Sequence, residues 1–266
     1  MTRDGVDFLP GSLGDLGLRV FTTFITLPGM VGSPIRIPRF TDHWRRVSES
    51  ALSLHIINHA RAEQYKNWVD EHLATELKAY QARSGNSQLR LRLVLGAEFL
   101  DLFVDPFLRE AKLDAGVKVL SYPGERALPT HKTTSAALSV IARRAAEAQG
   151  SYEALLIDRD GYVREGAWSN LFWFDRFGVL STIGERVLPG IVRQIILEHW
   201  DCRRCEISLT DLKREAREVF ITQSTNGIIP VVSIDDTPVS NGTPGILTSQ
   251  LSSRFLALFV DSTVPV

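Results

Sequence analysis

Apolar residues recur along this chain at two spacings, and the change from one to the other lays out its elements. Arg19 to Leu27 (RVFTTFITL) is rich in β-branched and aromatic residues and stops at Pro28-Gly29, a turn pair, so it reads as a strand. Thr41 or Asp42 can cap a helix running to about His59, in which Trp44, Val47, Ala51 and Leu54 recur at steps of three and four. Tyr65, Trp68, Val69, Leu73 and Leu77 repeat that stripe in a second helix, ended by Ser84-Gly85-Asn86-Ser87. Leu89 to Leu95 (LRLRLVL) alternates, which puts Leu89, Leu91, Leu93 and Leu95 on one face of a strand. The stretch Tyr122 to Pro129, with its proline and glycine, reads as a linker between a smaller N-terminal domain, 1–121, and a larger C-terminal one, 130–266. Beyond it, Leu138, Ile141, Ala142 and Ala145 give a helix stripe that closes at Gly150. Short strands are expected at 153–158, 162–166, 170–175, 178–181, 204–208, 218–223 and 229–234, with helices at about 190–200 and 246–259. Many strands with few helices argue for an α+β fold rather than a doubly wound parallel sheet.

Composition narrows the function. The chain has 266 residues, 44% hydrophobic and 23% charged, with a net charge of -1, so nothing points to a nucleic acid or a membrane surface as partner. No apolar run is long enough for a membrane span. Met1-Thr2-Arg3-Asp4-Gly5 lacks the basic start and apolar stretch of a signal peptide, so a cytoplasmic enzyme is expected. Cys202-Arg203-Arg204-Cys205 follows a helix rather than opening one, and no second ligand pair accompanies it. Two reduced, structural cysteines and no metal site are therefore expected. His43 and His131 read as polar loop or cap residues.

One region carries chemistry. Glu153-Ala154-Leu155-Leu156-Ile157-Asp158, Asp160-Gly161, Glu165-Gly166-Ala167-Trp168-Ser169-Asn170-Leu171-Phe172 and Leu188-Pro189-Gly190-Ile191-Val192-Arg193 set out a strand, a tight turn, a lone carboxylate on a second strand, and a glycine opening a helix. Upstream, Lys132 stands where a helix is expected to begin. A lysine, a glutamate and a helix N-terminus supply what pyridoxal phosphate requires: an imine partner, a pyridine-nitrogen partner and an anion cradle. From Val20 to Val232 the order and spacing resemble the class IV aminotransferase family of pyridoxal-phosphate enzymes, also called fold type IV. The resemblance implies a two-domain α+β fold of the D-amino acid aminotransferase kind, with pyridoxal 5'-phosphate between the domains. It also implies a homodimer in which the partner's first-domain residues close each site.

The same resemblance assigns residues. Lys132 takes the place of the Schiff-base lysine, which must be desolvated enough to attack as a neutral amine and afterwards shuttles the proton. Glu165 matches the glutamate facing the pyridine nitrogen, and Gly166 after it would let the ring approach the backbone. Asn170 would fix the loop or hydrogen-bond near the ring hydroxyl. Leu188 would lie against the ring face. The backbone N–H groups of Ile191 and Val192, behind Gly190, would hold the phosphate. Arg46, in the "HLxRLxxSA"-like run His43 to Ala51, would give a bidentate phosphate contact. Ser224, in Thr222-Gln223-Ser224-Thr225-Asn226-Gly227, would meet the phosphate, with Thr225 bordering the substrate.

Two positions depart from the family. Val192 stands where a phosphate-binding threonine is usual, which removes a hydrogen bond to a charged group of about 1.5–3 kcal/mol. Val94-Leu95-Gly96-Ala97-Glu98 replaces a Thr/Ser-Arg-Gly signature whose arginine helps hold a substrate carboxylate, leaving Arg90 or Arg92 as candidates for that task. Phe21-Thr22-Thr23 is similar to a segment common among aminodeoxychorismate lyases, which puts Phe21 and Thr23 at the substrate. A lyase releasing pyruvate and p-aminobenzoate is thus expected. An amino-acid transaminase of the branched-chain or D-amino acid type is the alternative, and a cofactor binder without turnover is a further one. Either way the partner is a small amine or amino acid.

Overall fold

The computed structural model of the chain describes residues 17–29, 34–86 and 88–265. Met1 to Gly5 and Ser87, read above for a leader and a helix end, lie outside them. The first unit opens with β1 (Val20–Ile25) and β2 (Arg36–Pro38), continues through α1 (Phe40–Ser53) and α2 (His59–Ser84), and ends with β3 (Leu89–Leu95) and β4 (Leu100–Pro106). β1, β3 and β4 form an antiparallel sheet in that order. Strict alternation drives it: Leu89, Leu91, Leu93 and Leu95 are buried and pack on Val47, Ala51, Val69, Leu73 and Leu77 of the two helices. The opposite face keeps Arg90 and Arg92 in the open.

The helices depart from expectation at their ends. α1 begins at Phe40 after Arg39, which adopts a left-handed conformation, so neither Thr41 nor Asp42 is the cap. It stops at Ser53 because His55 is again left-handed, and Asn58 starts a new helix by accepting the Arg61 N–H at 2.9 Å. Gly85, with φ of 70°, closes α2. Trp68 lies on the outer face of α2, 38% exposed and stacked on His72, rather than in the buried stripe.

The second unit runs β5 (Val117–Pro123), α3 (Ala137–Ala148), β6 (Glu153–Ile157), β7 (Val163–Gly166), β8 (Asn170–Asp175), β9 (Leu180–Thr182), α4 (Ile191–His199), β10 (Arg203–Arg204), α5 (Leu209–Glu215), β11 (Ala216–Gln223), β12 (Gly227–Ile234), β13 (Thr237–Pro238), α6 (Ile246–Asp261) and β14 (Thr263–Pro265). Among the described residues these make a nine-stranded sheet, ordered β10-β9-β8-β11-β12-β5-β6-β7 with β13 beside β12; β14 returns to pair with β2. Most neighbours are antiparallel, while β5 runs parallel to β6 and β12, so the fold is mixed α/β. One face buries Leu171, Trp173, Val219 and Ile221. The other buries Phe172, Phe174 and Phe220 against α4 and α6, with Phe172 and Phe220 stacked at 5.1 Å across their register pair.

β5 belongs to this large sheet, although the sequence reading ends the first domain at 121 and begins a linker at 122. Of the strand expected at 204–208 Arg204 alone lies in a strand, forming β10 with Arg203, while Ser208 makes an isolated bridge to Tyr162 and caps α5, a helix too short to show a stripe. On α3 the buried residues are Ser139, Ala142 and Ala146, while Ile141 is more than half exposed. Cys202 and Cys205 are free thiols, and burial pushes Cys202 up to about 11, away from reactivity. Among the described residues no helix is long and apolar enough to cross a membrane.

Candidate active site

A cleft of about 730 Å³ opens where the outer face of the three-stranded sheet meets the end of the large one. All the candidate residues line it: Lys132, Arg46, Glu165, Asn170, Leu188, Gly190, Ile191, Val192 and Ser224, and towards the substrate Phe21, Thr23, Arg90, Arg92 and Thr225. Thr22 does not line it, since alternation along β1 turns that residue to the other side.

Lys132 is not at a helix start. It lies on an extended segment five residues before α3, its carbonyl accepting the Phe21 N–H at 2.9 Å while Thr133 bridges Val20. The β1 edge therefore holds the lysine backbone and the side chain points into the cleft. Its Nζ approaches the Phe21 ring at 4.8 Å and the Trp168 ring at 5.5 Å. Burial, with Arg46 and Arg126 nearby, lowers the amine to about 7, against the pull of Glu165. A large share of this amine is thus neutral at physiological pH, the state a nucleophilic amine needs.

Glu165, 3% exposed, is the opposing group. Burial pushes its carboxyl up, and Arg126 beside it, the Leu188 N–H and Lys132 pull it back. Arg126 donates through Nε to Glu165 Oε1 at 2.7 Å, through Nη1 to the His131 carbonyl at 3.0 Å, and through Nη2 to the Pro129 carbonyl. One guanidinium thus joins the carboxylate to the loop that carries Lys132. The sequence reading misses Arg126 because it sits in the unpatterned stretch assigned as linker. Glu165 Oε2 accepts the Leu188 N–H at 3.0 Å and the Asn170 amide at 3.4 Å, and that amide also donates to the Leu188 carbonyl at 2.9 Å. Leu188 is thereby fixed at both backbone groups. Gly166 lines the cleft, and a Cβ there would collide with the Ser169 hydroxyl, which is tied to buried Glu153 at 3.1 Å.

At the other end of the cleft α4 begins at Ile191 behind Gly190, with no side chain capping it, so its first N–H groups are left for an anion. A Cβ at Gly190 would run into the Asn170 side chain. Arg46 is buried, and burial with Arg126 lowers it to about 10, so it stays charged at neutral pH. It donates to the Pro189 carbonyl at 3.2 Å and to Thr22 Oγ1 at 3.0 Å, and Thr22 Oγ1 lies 2.7 Å from His43 Nδ1. Burial and Arg46 hold His43 neutral, far below the usual imidazole range. His43 is therefore no loop or cap residue; it is a buried member of the arginine's support.

Pyridoxal phosphate fits these residues on two observations. Arg46 Nε and Thr222 Oγ1 are buried polar atoms without a hydrogen-bond partner among the described residues, and both residues line the cleft into which the start of α4 opens. Val192 is buried in the core beneath, so at this position the backbone alone can serve an anion. The wall towards the substrate is looser: Arg90 pairs with Asp105 at 3.0 Å, whereas Arg92 leans on the Phe21 ring at 5.6 Å.

Known proteins resemble this chain in sequence and in fold. The branched-chain-amino-acid aminotransferase of Salmonella typhimurium is 31% identical over 169 residues, 59% of this chain and 54% of that protein. The chain spans about half the length of the curated relatives it matches. The crystal structure of the branched-chain amino acid aminotransferase of Escherichia coli superposes with a TM-score of 0.76 at 22% identity, covering 94% of this chain and 88% of that one. The branched-chain aminotransferase of the archaeon Thermoproteus uzoniensis, solved with norvaline, gives 0.73 at 20%, covering 94% and 90%. A further branched-chain amino acid aminotransferase, solved with pyridoxamine 5'-phosphate, gives 0.74 at 23%, covering 92% and 86%. Residues 20–234, from the first strand of one sheet to the last long strand of the other and so through every wall of the cleft, match the amino-transferase class IV family, to which this chain belongs.

Proposed function

We propose that the chain is a pyridoxal-phosphate-dependent aminotransferase acting on amino acids, with Lys132 as its catalytic amine. The observation that carries this reading is the Lys132 Nζ, lowered to about 7 and sharing one cleft with Glu165 and an uncapped helix N-terminus. The cofactor supplies an aldehyde that condenses with amines and a ring that accepts electrons. Lys132 attacks as a neutral amine. With the cofactor bound, the same amine would be the group placed to take up and return the substrate's α-proton. Glu165, held by Arg126, would be the carboxylate that faces the pyridine nitrogen and favours its protonated form. Arg46, the first N–H groups of α4 and the hydroxyls of Ser224 and Thr222 hold the phosphate; Leu188 and Trp168 shield the reacting atoms from water.

Transamination comes before the lyase reading, although Phe21 and Thr23, which carry the similarity to aminodeoxychorismate lyases, line the cleft and suit either reaction. The relatives named above are aminotransferases, which supports the same order. A binder without turnover would have no need of a lowered lysine opposite a clamped glutamate. A homodimer closing the cleft belongs to the same proposal, and light scattering on the purified protein reads it. The central experiment is borohydride reduction of the cofactor-loaded protein, with peptide mapping, followed by assay of branched-chain, acidic and D-amino acids for the matching 2-oxo acid. An adduct on Lys132 with 2-oxo acid formed is expected. Pyruvate and p-aminobenzoate from aminodeoxychorismate would restore the lyase, and no adduct on Lys132 would sink both.

A further inference from the structure

The outer face of the three-stranded sheet forms one wall of the cleft, and its register sets out what a substrate meets there. Rows run across the strands: Phe21, Val94 and Asp101, then Thr23, Arg92 and Phe103, then Ile25, Arg90 and Asp105. Within the segment Val94 to Glu98, which stands in place of the family's Thr/Ser-Arg-Gly signature, no arginine is present, and Leu95 is fully buried on the opposite face in the core over α1 and α2.

The cations that line the cleft are mostly committed. Arg126 holds Glu165, Arg143 pairs with Glu147 at 2.8 Å, and Arg90 pairs with Asp105 at 3.0 Å across its own row. Arg46 and Lys132 serve the cofactor under the function proposed above, on which this inference rests. Arg19, at the end of the wall, lies over the Phe99 ring at 4.6 Å. Arg92, like Arg19, has no carboxylate partner among the described residues, but it stands within the wall rather than at its end, and its row neighbours, Thr23 and Phe103, carry no charge. Its guanidinium carbon sits 5.6 Å from the Phe21 ring, the ring that Lys132 Nζ approaches at 4.8 Å. One aromatic ring, Phe21, is thus approached by both the Lys132 amine and an uncommitted guanidinium, and both side chains line the same cleft. The planar fork of arginine suits a carboxylate, and stacking on Phe21 fixes its plane. Asp101 faces the same cleft from the next row, opposite Val94 and not opposite Arg92, which leaves the Arg92 row as the cationic one.

We propose that Arg92 is the carboxylate anchor of this protein, holding a carboxylate of the amino-acid or 2-oxo-acid substrate by a bidentate contact from β3. Arg92 would then set specificity in place of the arginine that the segment Val94 to Glu98 lacks, and Arg90 would remain a partner of Asp105.

The test is calorimetric titration of two inert acids, succinate and 4-methylvalerate, into wild type, Arg92→Gln, Arg92→Lys and Arg90→Gln. It is run on cofactor-loaded and cofactor-free protein, because the wall exists in both. In Arg92→Gln the affinity for at least one acid falls about tenfold or more. Arg92→Lys recovers part of it, and Arg90→Gln stays within about twofold of wild type. Loss for both acids assigns Arg92 to the carboxylate they share; loss for succinate alone assigns it to a side-chain carboxylate. With amino-acid substrates the change falls on KM more than on kcat. Unchanged affinity in Arg92→Gln, a loss in Arg90→Gln instead, or no binding to wild type overturns the proposal. Failure to load the cofactor, read separately by absorbance, strikes the functional reading and leaves the titration of Arg92 intact.

Discussion

Glu165, Asn170 and Leu188 hold one another on the large-sheet wall of the cleft, through bonds of 2.9 to 3.4 Å, whereas the Arg92 side chain on the three-stranded wall meets the Phe21 ring and, among the described residues, no carboxylate. Under the proposed function the contrast follows from what each wall would handle. A cofactor is always the same molecule, so its wall gains from donors fixed and dried in advance. A substrate wall must admit, hold and release, and its groups keep their freedom until the ligand arrives.

Removing the amine breaks the cofactor side outright. Lys132→Ala should lower turnover by about 10²–10⁴-fold and leave no borohydride-stable adduct, read by peptide mass spectrometry. Glu165→Gln should follow, with a loss of about 10²–10³-fold in kcat and a smaller change in KM. An equal loss in KM alone would mean that this wall merely binds. The pH dependence of cofactor capture by the apoprotein sharpens the same side. Lys132 attacks as the free base, so capture should slow about tenfold for each pH unit below 7 and level off above it, measured by stopped-flow absorbance. His43→Leu removes a contact worth about 0.5–1.5 kcal/mol behind Arg46, so pyridoxal phosphate should bind several-fold more weakly, read by fluorescence titration, while His43→Gln retains most of the affinity. The smallest effect is expected for Val192→Thr. If the backbone and Thr222 already satisfy the phosphate, affinity should change by no more than about threefold.

How far the sequence can be read also divides along these walls. Glu165, Leu188, Gly190 and Asn170 stand in short runs that each impose a local shape, a turn or a helix start, and such shapes are visible in one dimension. Arg126 is invisible there because its partner lies 39 residues away and nothing around it repeats. His43 escapes notice for the same reason: its significance comes from Thr22, on a strand facing the other side of the sheet from Phe21. Alternation in Leu89 to Leu95 gives the strand and its buried face, but it cannot choose between Arg90 and Arg92, since Asp105 decides that from β4. Trp68 and Ile141 fall outside the buried stripes because helical spacing names a stripe and not which stripe is covered. β5 mixes polar and apolar residues, and only its two parallel neighbours make it a strand.

The three contacts of Arg126 have a mechanical meaning. By gripping the acid with one nitrogen and the carbonyls of Pro129 and His131 with the others, it tethers the carboxylate and the lysine loop to a common post. Disturbing either end slackens the other, so damage at 165 reaches the amine at 132 through the backbone as well as through their charges, and paired substitutions there will fall short of the product of their separate effects.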